Sequence, residues 1–158
     1  VTFAADRDAP VFAEGTITIA APRAVVWQVL TELEGWPAWN PGVKSLTLAG
    51  PLAIGATFKW KAGPGTIRSK IEELDPPTTI GWTGRTFGIR ARHAWQLIDV
   101  PGDEGDAEGG EGGTTTVTTQ ESWRGPVPAI LRGSLAHTLQ GATDDGLRAL
   151  RDEALKRV

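Results

Sequence analysis

His93 and Glu121 are the only pair of ionisable side chains in this chain whose types and placement suit acid–base chemistry. Each stands on a stretch in which apolar and polar residues alternate, the mark of a half-buried strand. Ala91, His93, Trp95 and Leu97 share one face of residues 90–100, and Thr115, Val117, Thr119, Glu121 and Trp123 share one face of 114–124. Between the two lies PGDEGDAEGGEGG (101–113), five acids and six glycines that read as a hairpin loop. Its acids fit no EF-hand spacing, so calcium binding is disfavoured. Symmetric pairing across the loop sets Val100 opposite Thr114, Leu97 opposite Val117, Trp95 opposite Thr119 and His93 opposite Glu121. Directly opposite side chains have β-carbons about 5 Å apart, so the imidazole and the carboxylate meet on the apolar face. A buried histidine beside a carboxylate can shuttle a proton near neutral pH, as an aldol cyclisation or a dehydration needs. The more ordinary reading of the same pair is a structural role, fixing strand register or holding a ligand hydroxyl, because a buried charge more often survives by being paired than by doing chemistry.

Other catalytic signatures are missing. There is no G-x-S-x-G elbow, no phosphate-cradling glycine loop with lysine, no H-E-x-x-H and no dinucleotide-binding glycine pattern after a strand. With no cysteine and only two histidines, His93 and His137, neither thiol chemistry nor a metal site is expected, and no cofactor is implied.

The elements that must position the pair are legible around one corner. Gly35-Trp36-Pro37-Ala38-Trp39-Asn40-Pro41 places two prolines and two tryptophans in seven residues, a rigid bend in which Trp36 and Trp39 share a face if it makes one helical turn. Residues 1–13 read as a lead-in without sustained period, and 14–158 as one domain. Glu14 to Ala20 alternates as a strand. Ala21-Pro22 then opens a helix whose stripe is Val25, Val26, Val29, Leu30 and Leu33, with Trp27 at its edge. Beyond the bend, 43–49, 57–62, 65–74 and 79–86 alternate as strands bounded by Gly or Pro. Phe58 and Trp60, then Ile67, Ser69 and Ile71, then Ile80, Trp82 and Gly84 lie on their apolar faces. Arg68, Arg90 and Arg92 fall on the outer face.

From Val127 onward the pattern is helical to the C-terminus, about thirty residues or roughly 45 Å, with a kink expected near Gly141. Its apolar stripe is Leu131, Leu135, Leu139, Ala142, Leu147, Leu150 and Ala154, and His137 lies off it as a solvated residue. A one-faced antiparallel sheet needs a cover, and only this helix is long enough to cross it; a twisted sheet wrapped around it encloses a hollow.

Composition narrows the classes further. At 158 residues the chain buries a single core without staples. Net charge is -3 and the cations look scattered along the sequence, which argues against nucleic acid as a partner. No apolar run approaches the roughly 18 residues of a membrane helix. The chain does not begin with methionine, so its first residues are expected to have been processed or trimmed. Cytoplasmic is the default location, and an apolar lead-in suits either a monomer or a homodimer.

Taken together, Ala21-Pro22 with Val26-Trp27-Gln28-Val29-Leu30, the Trp36 to Pro41 bend, Asp75-Pro76-Pro77, His93-Ala94-Trp95, Thr115 to Trp123 with Gly125-Pro126, and the closing helix resemble the START-like or birch-pollen-allergen-like superfamily, in its bacterial polyketide cyclase/dehydrase and lipid-transport branch. The resemblance runs from about Gly15 to Lys156. It implies an α+β helix-grip fold: six to seven antiparallel strands around a long C-terminal helix, two short helices after the first strand, and an internal cavity for an apolar or amphipathic small molecule. Members include carriers, cyclases, dehydratases and chaperone-ATPase activators. Aromatase/cyclase members also use an inward Arg and Tyr; this chain has no tyrosine, and its arginines read as outward.

The first expectation is therefore a carrier or binder of an aromatic or lipid-like molecule. A cofactor-free cyclase or dehydratase using His93 and Glu121 is the alternative, and a protein-interaction module of the chaperone-activator type the third reading. Trp39, Phe58, Trp60, Ser69, Trp82, His93, Trp95, Thr119, Glu121, Leu131 and Leu135 are the expected ligand-facing residues.

Overall fold

The strands expected from alternation form one sheet. The structure is a computed structural model and describes residues 3–101 and 113–158. Strand β1 (Val11–Ile19) leads into helix α1 (Arg23–Thr31), a single 3-10 turn (Leu33–Gly35) and the one-turn helix α2 (Trp36–Trp39). Strands β2 (Ser45–Ala49), β3 (Thr57–Lys61), β4 (Thr66–Asp75), β5 (Thr79–Thr86), β6 (Ile89–Asp99) and β7 (Thr115–Arg124) follow, and helices α3 (Pro126–Ile130) and α4 (Arg132–Lys156) close the chain. The sheet order is β1-β7-β6-β5-β4-β3-β2, antiparallel throughout. This is the α+β helix-grip architecture. The loop expected at 101–113 lies almost wholly outside the described residues.

Pairing of β6 with β7 brings His93 opposite Glu121 and Trp95 opposite Thr119, the register that symmetric pairing requires. Inner-face residues Ile71, Ile80, Trp82, Leu97 and Val117 are buried against Val26, Val29, Leu30 and Leu33 from the helical side and Leu147, Leu150 and Ala154 of α4. Helix α4 packs chiefly on β1 and against α1. It crosses β1 at Gly15, where a β-carbon would stand 2.7 Å from Leu147 Cδ1 and 3.2 Å from Thr143 Cγ2, so a side chain there would have to push these two side chains of the helix aside.

Several boundaries differ from the sequence reading. Strand β1 begins at Val11, inside the stretch read as lead-in. The residues before it run over the outer face: Phe3 N donates to Glu73 Oε2 (2.9 Å), Asp6 N donates to Ser122 Oγ (2.9 Å), and Asp6 pairs with Arg124. The Arg92 guanidinium lies 4.2 Å from the centre of the Phe3 ring, and Ala5 is buried. Phe3 and Ala5 of the lead-in thus find cover within the chain.

The C-terminal helix breaks at Leu131 (φ -108°, ψ 36°), while α4 runs unbroken through Gly141. The break separates a proline-started turn from Gly133 and Ser134, weak helix formers at the restart, whereas Gly141 is flanked by good ones. The buried stripe of α4 is Leu139, Thr143, Leu147, Leu150 and Ala154, so Thr143 takes the place expected for Ala142. His137 is exposed, as expected.

At the free edge, β2 is only five residues long, and its Leu48 N–H donates to Glu34 Oε2 at 3.3 Å.

Two glycine substitutions separate conformational need from convenience. Gly125 has φ +124°, and a β-carbon there would sit 2.5 Å from Gly88 O; Gly141 has open space around it. Gly125→Ala should therefore cost about 1–3 kcal/mol by chemical denaturation. Gly141→Ala should instead stabilise α4 by up to about 1 kcal/mol.

Candidate functional site

The bend delivers Trp36 into the centre of an aromatic cluster. Pro37 sits in the first turn of α2, and the Trp36 indole donates to Leu30 O at 2.9 Å, which fixes the ring against the end of α1. Trp36 is 4% exposed. Its ring meets Phe58 (centroids 6.5 Å), Trp60 (5.8 Å) and Trp82 (5.4 Å). Phe58 meets Trp60 and Trp82 in turn, at 6.2 and 5.8 Å. From Trp82 the contacts pass to His93 (4.8 Å) and from His93 to Trp95, stacked at 5.2 Å. One continuous ring-to-ring path thus runs from β3 to β6.

His93 ends this path in a set of polar contacts. Its Nε2 lies 2.9 Å from Thr119 Oγ1, and that hydroxyl donates to Ala94 O at 3.0 Å. A hydroxyl carries one proton, so with Ala94 receiving it Thr119 can only accept from His93. Nε2 therefore bears hydrogen, and in the neutral ring Nδ1 is the bare nitrogen. Nδ1 stands 3.2 Å from Glu121 Oε1, ion-pair range, yet is not aligned for a hydrogen bond. The other carboxylate oxygen accepts from Trp123 Nε1 at 2.6 Å. His93 and Glu121 side chains keep 14% and 17% exposure. Burial pushes the His93 imidazole below its ordinary value, and the Glu121 charge opposes that shift only in part.

The expected site residues separate into three groups. Phe58, Trp60, Trp82, His93, Trp95, Thr119 and Glu121 come together. Ser69 joins them as a partner of Trp60, accepting from its indole at 3.0 Å, and Trp39 packs against the same core. Leu135 belongs instead to a smaller cluster with Val11, Ala13, Leu139 and Trp123, the residue whose indole donates to Glu121. Leu131 does not join: it sits at the α3–α4 break and is 49% exposed. Among the described residues, the indole nitrogens of Trp39 and Trp95 and His93 Nδ1 are buried with no hydrogen-bond partner. An open surface cleft of about 240 Å³ lies apart from this cluster, lined by Arg85, Thr86, Gly88, Ile89, Arg90, Gly125 and Pro126. Among the described residues no three His, Asp or Glu side chains gather closely enough to hold a metal ion.

Residues 11–154 match the family described as polyketide cyclase / dehydrase and lipid transport. The chain belongs to this family. No curated protein matches it in sequence. Among solved structures, a hypothetical protein of Helicobacter pylori superposes with a TM-score of 0.78 at 16% identity, covering 94% of this chain and 90% of that one. The Zhui aromatase/cyclase from Streptomyces sp. R1128 gives 0.71 at 19% identity over 92% and 94%. A START superfamily protein from Mycobacterium smegmatis gives 0.73 at 14% identity over 93% and 99%. At these identities the likeness is one of fold.

Two residues of the site escaped the sequence reading. Trp36 was legible as part of a bend but not as the hub of the cluster, because a turn's direction is set by packing. Trp123 lies two residues from Glu121 on the same face of β7, and that spacing was the available signal.

The His93 shift has a sign that can be checked. As pH falls through the ordinary histidine value of 6.5, the unfolded chain takes up a proton that the folded chain resists. Stability from the neutral imidazole is therefore complete above 6.5 and declines below it. Thermal midpoints measured from about pH 7.5 to about pH 5.5 should fall more steeply for the wild type than for His93→Gln. An NMR titration should place the His93 midpoint below 6.5.

Proposed function

We propose that this protein binds an apolar, aromatic-type small molecule against the cluster formed by Trp36, Trp60, Trp82, His93 and Trp95. The observation that carries this reading is the set of buried polar atoms left without a protein partner within an aromatic core: Trp39 Nε1, Trp95 Nε1 and His93 Nδ1. Unpaired polar atoms in an apolar core cost about 1–3 kcal/mol each, so a fold that retains two indole donors and one bare imidazole nitrogen gains when a ligand carrying both acceptor oxygens and a hydroxyl donor arrives. A flat, conjugated molecule with carbonyl or hydroxyl oxygens supplies both ring faces for stacking and acceptors for the indoles. Trp39 and Trp60 are only partly buried and give access at the edge of the cluster.

A second reading, cyclase or dehydratase chemistry without a cofactor, is favoured by one specific feature. Thr119 leaves His93 with a bare Nδ1 and burial keeps it unprotonated near neutral pH, the state a general base requires. Glu121 beside it would steady the imidazolium formed on taking a proton. The family description, which names both cyclase/dehydrase activity and lipid transport, is compatible with either reading.

Tryptophan fluorescence titration with aromatic polyketides and with fatty acids tests the first reading. Aromatic compounds should quench, and fatty acids should quench weakly; no quenching by either panel would sink the proposal. His93→Ala and Glu121→Gln then divide carrier from enzyme. A carrier should keep affinity within about tenfold in both variants, whereas an enzyme should lose about a hundredfold or more in kcat with little change in binding.

A further inference from the structure

Cations that look scattered in the sequence line up in the fold. Strand pairing sets Lys59 opposite Arg68, Arg68 opposite Arg85, Arg85 opposite Arg90, and Arg90 opposite Arg124. Five positive residues thus stand side by side across β3, β4, β5, β6 and β7 on the outer face, all exposed. With strands about 4.8 Å apart, the row spans about 19 Å. Like charges directly opposite one another on a sheet are unfavourable, and folding alone gives no reason to align them. Asp6 pairs with Arg124, but among the described residues no ion pair engages Lys59, Arg68, Arg85 or Arg90. On the neighbouring row, Lys70 has Glu72 at 3.9 Å and Arg92 lies over Phe3.

An apolar tip projects from the same end of the sheet. Phe87, in the β5–β6 turn two residues from Arg85, is 94% exposed. The next residue, Gly88, packs against Val127 of α3, and one turn further along lie Ile130 and Leu131, 79% and 49% exposed. Arg85 and Arg90 also line the surface cleft between this turn and the start of α3. Arg132, exposed, follows directly.

We propose that this end of the molecule docks on an anionic phospholipid bilayer, with the cationic row lying on the headgroups and Phe87, Ile130 and Leu131 entering the interface. Charge complementarity selects the anionic surface, and the apolar tip selects a bilayer over a nucleic acid, to whose bases the aliphatic Ile130 and Leu131 offer no stacking. The proposal is independent of what the aromatic cluster binds.

Co-sedimentation with vesicles of phosphatidylcholine mixed with phosphatidylglycerol, against pure phosphatidylcholine, is the test. The wild type should sediment with the mixed vesicles at low salt and be released as salt rises. Each positive charge contributes about fivefold near such a surface, so the Arg85→Gln/Arg90→Gln double variant should partition about 25-fold more weakly. Phe87→Ser should weaken it about tenfold. Removal of opposed like charges should leave the double variant at least as thermally stable as the wild type, so a loss of vesicle binding cannot be put down to unfolding. Equal partitioning into both vesicle types, or into neither, overturns the proposal. So does displacement by inorganic phosphate at an ionic strength where chloride has no effect, which would mark a free-phosphate pocket, and so does retention of an oligonucleotide in place of vesicles.

Discussion

The pairing of β6 with β7 in one register is the constraint on which the site depends. Side chains alternate along a strand, so a slip of one residue would turn one of the two strands over: either His93 and Trp95 pass to the outer face while Arg90 and Arg92 turn inward, or Thr119 and Glu121 pass outward while Arg124 turns inward. A guanidinium group cannot be buried against Trp82 and the rest of the core without a partner, and the penalty runs to several kcal/mol for each. Charge on one face therefore enforces the geometry on the other. Thr119 reinforces the register from within, because its hydroxyl bridges the β6 backbone at Ala94 to the ring of the preceding residue.

Much of this was legible in the sequence because it depends on local period. Alternation in 79–86 marked the observed β5 to the residue, and the loop boundaries were enough to pair His93 with Glu121. What period cannot convey is where a helix stops when its stripe continues past the break. Leu131 is spaced to continue the apolar stripe of α4, yet it lies at a non-helical residue and faces solvent. Nor does alternation tell which rows of neighbouring strands coincide, so the alignment of Lys59, Arg68, Arg85, Arg90 and Arg124 becomes visible only once all the registers are known. The lead-in was illegible for a related reason: its contacts with Glu73, Arg92 and Ser122 are all distant in sequence.

A tension runs through the interior. Trp36, Phe58 and Trp82 are almost wholly buried, and Phe58 meets both tryptophans edge-on, an arrangement that stabilises by about 0.5–1.5 kcal/mol per ring pair beyond burial itself. Unpaired indole nitrogens and a histidine held neutral by burial work against that stability. Rings supply the cohesion, and the polar atoms set into them are what the proposed ligand would have to match. The two are interleaved along β5 and β6, so neither can be altered without the other.

The carboxylate of Glu34 has a bearing on assembly. An open sheet ends in strands whose outward amides invite another strand, and such edges are where chains add to one another into larger sheets. Here the outward amide of Leu48 already donates to Glu34, which the 3-10 turn holds beside β2. Any chain seeking to extend the sheet from that side must displace a charged acceptor from a five-residue strand. The edge is thereby guarded against polymerisation by a residue that takes no part in the core.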